Sequence, residues 1–142
     1  MAKSLFENVK VVMAVAPIAA SAAQISAAID TKGYHSGMVV VNNGAATGTP
    51  DSYIYDAKVQ ECATSGGSYT DITDAAIVQG TANGKSAQIN LASLNDGTRL
   101  RYIKVVVTPA MTGGTSPKAL ISATVLLGRS EAKPVSNSAT PA

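Results

Sequence analysis

Short β-branched runs, each bounded by Gly, Asn, Pro or Thr, recur along most of this chain, and that pattern constrains its fold more than anything else. Tyr53 to Cys62 is the clearest case. Tyr53, Tyr55, Ala57 and Val59 fall on one face while Asp56, Lys58 and Gln60 fall on the other, as a period of two requires. Val9 to Val15, Gly37 to Asn42, Tyr69 to Ile72, Ala75 to Gln79 and the alternating Ala87, Ile89 and Leu91 read as further strands. Arg99 to Thr108 and Ala119 to Leu127 are the strongest, each about 30 Å long if fully extended. Pro17 to Ala28 is ambiguous, because its alanines favour helix while Pro17 and the serines oppose it.

Turn chemistry separates these runs. Asp30-Thr31-Lys32-Gly33, Asn43-Gly44, Asn83-Gly84 and Leu94 to Gly97 read as turns, and Pro109 to Lys118 as a Gly/Thr/Pro loop. A weak internal echo is present. Val39-Val40-Val41 leads into Thr47-Gly48-Thr49-Pro50, and Val105-Val106-Val107 leads into Thr112-Gly113-Gly114-Thr115-Ser116-Pro117. Two similar hairpins are expected there. About eight short strands with frequent turns predict an all-β fold, an antiparallel β-sandwich or jelly roll with extended N- and C-terminal segments. The expected organisation is one domain over residues 1–128, with an arm over about 1–10 and a tail over 129–142.

Composition narrows the function. The 142 residues are 46% hydrophobic but only 14% charged, where ordinary domains carry about 25% charge, so small neutral side chains must cover much of the surface. A chain this apolar is not an acidic or basic disordered one. A net charge of +2 and 4% aromatic residues argue against nucleic-acid binding, which draws on basic patches and stacking rings. The single cysteine, Cys62, makes no internal disulfide and builds no zinc site alone, so it is expected to pack as a small buried group. Val9 to Ala23 has the look of a secretory leader, but Glu7 and Pro17 fit that anatomy badly and it is not expected to be one. No run approaches the roughly 20 apolar residues of a membrane helix.

Candidate chemistry is sparse. Gly80-Thr81-Ala82-Asn83-Gly84-Lys85-Ser86 is one residue too short for a phosphate-binding loop and precedes a strand, so it reads as a turn. His35 has no nucleophile elbow to serve. Asp51, Asp56, Glu61, Asp71 and Asp74 read as solvated strand-end charges, without the oxygen-ligand density of a calcium loop. Tyr53, Tyr55, Tyr69 and Tyr102 could line a sugar-binding platform, though core or interface anchoring is the favoured reading. No enzyme, cofactor or metal is expected.

Several segments together resemble a known group. Gly44-Ala45-Ala46-Thr47-Gly48-Thr49-Pro50-Asp51-Ser52-Tyr53, Asp56-Ala57-Lys58-Val59-Gln60 and Gly67-Ser68-Tyr69-Thr70-Asp71-Ile72 are similar to stretches of small virion proteins of tailed bacteriophages. So are Arg101-Tyr102-Ile103-Lys104-Val105-Val106-Val107, Thr112 to Pro117 and Val125-Leu126-Leu127-Gly128. Over roughly Asp30 to Gly128 the chain resembles capsid decoration, or cement, proteins. The resemblance implies a homo-oligomer on the outer capsid surface, a trimer first and a dimer next, that stabilises contacts between major capsid protein subunits. A Ser/Thr/Ala/Gly surface suits that role, because uncharged short side chains desolvate and order at little cost. The expected contact elements are Ala2 to Lys10, Pro109 to Lys118 and Arg129 to Ala142. The interface candidates are Lys3, Phe6, Lys10, Met111, Lys118 and Arg129. The alternative is a receptor- or glycan-binding module of a phage tail or fibre.

Overall fold

Alternation decides which side of each strand is buried, and two faces built this way must cover one another. A computed structural model of the chain describes residues 4–81 and 85–131. It contains a helical turn α1 (Leu5–Asn8) and nine strands: β1 (Lys10–Ala20), β2 (Gln24–Ile25), β3 (Ile29–Asp30), β4 (Tyr34–Asn43), β5 (Ser52–Cys62), β6 (Thr70–Thr81), β7 (Lys85–Ser93), β8 (Tyr102–Thr112) and β9 (Ala119–Ser130). One sheet runs β1-β9-β4-β7 and the other β2-β8-β5-β6, with β3 also paired to β8. All pairs are antiparallel. With β2 and β3 taken as one interrupted strand along β8, every connection crosses to the opposite sheet except β5 to β6. That is the double Greek-key order of a jelly roll.

The core lies between the sheets. Val39, Val41, Ala123 and Val125 from one sheet and Val59, Val105, Val107 and Ile103 from the other are fully enclosed. Burial of each branched side chain contributes about 1.5–3 kcal/mol. Tyr55, Ala57 and Val59 face inward and Asp56 outward, as the alternation predicts; Tyr53 is half-buried on the inward face.

Several boundaries differ from expectation for local reasons. The stretch from Pro17 holds no helix: β1 continues to Ala20, with bulges around Ala14 and Pro17. Pro17 is tolerated because β1 is an edge strand. The runs expected over Tyr69 to Ile72 and Ala75 to Gln79 are not separate: from Thr70 on they belong to β6, kinked where Asp74 and Gln79 adopt positive φ, and Tyr69 precedes the strand. The Asp56 carboxylate accepts the Gln79 N–H at 2.8 Å and holds the second kink. β8 starts later than Arg99 and runs through Pro109 to Thr112, so Met111 is a strand residue packed against the core and not a loop residue. β9 reaches Ser130, paired with Tyr34, so Arg129 belongs to the strand and not to a tail. The N-terminal segment is not wholly extended. The Ser4 hydroxyl caps α1 by accepting the Glu7 N–H at 3.2 Å, while the Glu7 carboxylate accepts the Ser4 N–H at 3.4 Å.

The echoed loops are not hairpins. Both cross from sheet to sheet, and they lie side by side because β4 pairs with β9 and β5 with β8. Thr47 N–H donates to the Lys118 carbonyl at 2.8 Å and Thr115 N–H to that of Gly48 at 2.9 Å. These two arches close the far end of the sandwich; the 31–34 and 94–97 loops close the near end. There Asn95 Nδ2 donates to the carbonyls of Thr31 and Tyr34 at 2.6 and 2.7 Å. The Asn83-Gly84 turn, Lys3 and the tail from residue 132 lie outside the described residues.

Candidate interaction surface

The two outer faces of the sandwich differ in kind. On the β2-β8-β5-β6 sheet the outward positions carry charge. Lys58 Nζ lies 3.1 Å from Asp71, whose carboxylate also accepts from Gln60 at 2.8 Å. Those bonds, Gln60's first, hold the Asp71 carboxyl below its ordinary range. Lys104 Nζ sits 4.5 Å above the Tyr69 ring, and the Arg101 guanidinium 5.0 Å above that of Tyr102. Arg101 also forks onto Asp30 at 2.8 and 2.9 Å.

The outer face of the β1-β9-β4-β7 sheet is different. Val11, Leu126 and Met38 lie abreast across β1, β9 and β4; Met13, Thr124 and Val40 form the next row. Gln88 and Asn90 continue these rows onto β7, and Asn42, Ser122 and Ser86 make another. Among the described residues, no charged side chain stands in these rows. Val11 and Met13 are 54% and 66% exposed. Protein surfaces that end up in the middle of interfaces show this profile: charge removed, methionine and aliphatic groups retained.

Relief makes the face more specific. At the near end α1 rises as a ledge, with Leu5 76% and Phe6 53% exposed. Beneath it lies an apolar groove of about 800 Å³ lined by Leu5, Phe6, Val9, Val11, Met13, Met38 and Leu126. A shallower groove of about 430 Å³ opens on the same three strands at the far end, lined by Pro17, Ile18, Ala19, Asn42, Leu120 and Ser122.

The sequence candidates divide between the ends. Phe6, Lys10 and Arg129 stand at the near end, Phe6 on the groove; Met111 and Lys118 stand at the far end, Lys118 bridged to Thr47. They do not form one cluster. Sequence reasoning missed Leu5, Val11, Met13, Met38 and Leu126. For the four on strands the signal was present: outward positions, where a solvated face would place polar residues, are apolar here.

The remaining candidates are accounted for by packing. His35 Nε2 lies 2.9 Å from Glu131 at the sheet end. Cys62 is buried beneath Gly67, with Thr64 Oγ1 3.9 Å from its sulfur. Glu61 accepts the Leu100 N–H at 3.0 Å and faces Arg99 at 3.7 Å. Asp56, Glu61 and Asp71 thus go to different local partners and do not converge. Tyr55 is core, Tyr53 donates to Asn43 at 3.3 Å, and Tyr69 donates to the Ser65 carbonyl at 2.9 Å under Lys104. These rings make no common platform. Burial, then the neighbouring Tyr55, pushes the Tyr53 phenol up. Among the described residues no group of three or more His, Cys, Asp or Glu is placed to hold a metal ion, and no helix is long and apolar enough to cross a membrane.

No protein-family model and no curated protein sequence matches the chain. Solved structures do resemble it. The chain is similar to part of the structure of infectious bursal disease virus Gx strain, with 15% identity over 89% of this chain and a TM-score of 0.45. It is likewise similar to part of the Gt strain structure, with 12% identity over 89% of this chain and a TM-score of 0.46. In both, the chain spans 33% of the length of the protein it matches.

Proposed function

We infer that this is a structural virion protein that works by contact alone, sitting as a homo-oligomer on the outer surface of a bacteriophage capsid and stabilising contacts between major capsid protein subunits. The observation that carries the reading is the asymmetry of the two outer faces. One is charged and internally hydrogen-bonded, suited to water; the other is uncharged, apolar and relieved, suited to burial. A molecule acting by adhesion needs such a division, together with a core that does not deform. The jelly roll supplies that rigidity, and its two braced arches add to it. The resemblance of Asp30 to Gly128 to decoration proteins supports a tailed-phage capsid as the assembly. Repetition on a symmetric shell then multiplies modest contacts through avidity.

The test is direct. Purified protein added to undecorated tailed-phage capsids should bind saturably, at a fixed number of copies per particle, and raise the temperature at which the particles rupture. Capsids that neither retain the protein nor gain heat resistance would refute the assignment.

A further inference from the structure

We propose that the uncharged face of the β1-β9-β4-β7 sheet pairs with the same face of a second copy of this chain about a two-fold axis running across the strands. The pairing rests on the reading above that this face is built for burial, and it names what covers it.

Three observations support a second copy as the occupant. First, an isologous contact sets each residue against its own surface, so a face of one charge sign repels itself, whereas this face carries no charge in its rows. Second, the area is adequate. Four strands at about 4.8 Å spacing and about 30 Å length give about 600 Å², and the α1 ledge brings this towards the roughly 800 Å² per partner of a stable interface. Third, the relief is self-complementary. The ledge would hold two flat faces apart unless something received it. The far-end groove, centred on Leu120, lies on the same three strands as the ledge-side groove at Leu126, about 20 Å along β9. A two-fold axis across the strands maps the near end onto the far end and keeps β1 over β1. Leu5 of each copy then enters the depression beside Leu120 and Ile18 of the other, and Met13, Met38 and Leu126 are covered between them. An axis along the strands would instead set ledge against ledge.

The test uses the intact chain. Sedimentation at micromolar concentration should show a dimer. Leu5→Glu and Leu120→Glu should each weaken it about tenfold or more. Both positions are exposed, so circular dichroism should stay as in the wild type, and any loss of melting temperature should follow from the lost pairing and vanish at dilutions where the wild type is also monomeric. A Leu5→Cys chain mixed with a Leu120→Cys chain should be joined by a short thiol-reactive cross-linker, while neither chain should couple to itself. Cys62 is buried and does not compete. A wild-type monomer, or efficient self-coupling of the Leu5→Cys chain, would overturn the pairing. A dimer that ignores capsids sinks the decoration role and leaves the pairing standing; a monomer that binds capsids through this face does the reverse.

Discussion

Asp30 and Arg101 are joined by two parallel hydrogen bonds, 2.9 and 2.8 Å, between a fork and a carboxylate. The Arg101 bonds, outweighing partial burial, lower the Asp30 pKa from 3.8 to about 2. A carboxyl that titrates lower folded than unfolded stabilises the fold above its unfolded pKa, and that contribution is lost as pH falls from about 4 through about 2. Both side chains are nearly half exposed, so solvent screening limits the effect. Asp30→Asn should cost about 1 kcal/mol or less in urea unfolding at pH 7. The difference from the wild type should shrink as the measurement is repeated towards pH 2. A constant difference across that range would assign the effect to packing instead. Pairings such as this were not legible in the sequence, since the partners lie 71 positions apart. The orientation of Tyr53 and Tyr55 was legible, because a strand's period of two fixes facing without any knowledge of neighbours.

At the scale of elements, the two crossing arches depend on backbone that only glycine supplies easily. Gly114 has φ +75°, and a Cβ there would overlap the Gly48 carbonyl of the other arch; Gly48 has φ +79° and would meet Thr115 in return. Gly114→Ala should therefore destabilise the protein by about 1–3 kcal/mol, seen as a lower melting temperature, with far-UV dichroism retained below the transition. A neutral Gly114→Ala would mean that the arches are not rigidly coupled. The repeated loop text showed that two similar connections exist, but not that they cross between sheets and pack together. That depends on strand order, which local turn chemistry does not encode. The kinks in β6 escaped the sequence for a related reason: Asp74 and Gln79 take left-handed backbone that neither residue advertises. The α1 turn could have been read, since Ser4-Leu5-Phe6-Glu7 spells a capping box before the first strand.

At the scale of the molecule, low charge acquires a location. On the outer face of one sheet Lys58, Asp71 and Lys104 engage their neighbours, while the middle rows of the other outer face carry Val11, Met13, Met38 and Leu126 and no charge among the described residues. Composition showed that some surface must be neutral, but its segregation to one face follows only from pairing β1, β9, β4 and β7. The reading requires this face to be covered when the protein does its work, and oxidative footprinting reports that coverage residue by residue. Met13 and Met38 sit on the apolar face and Tyr69 and Tyr102 on the charged one, and methionine and tyrosine side chains both report readily on exposure. Compared with the unfolded chain as reference, the protein on its particle should show Met13 and Met38 protected and Tyr69 and Tyr102 still reactive. Reactive methionines together with protected tyrosines would mean that the charged face, not this one, is the buried one.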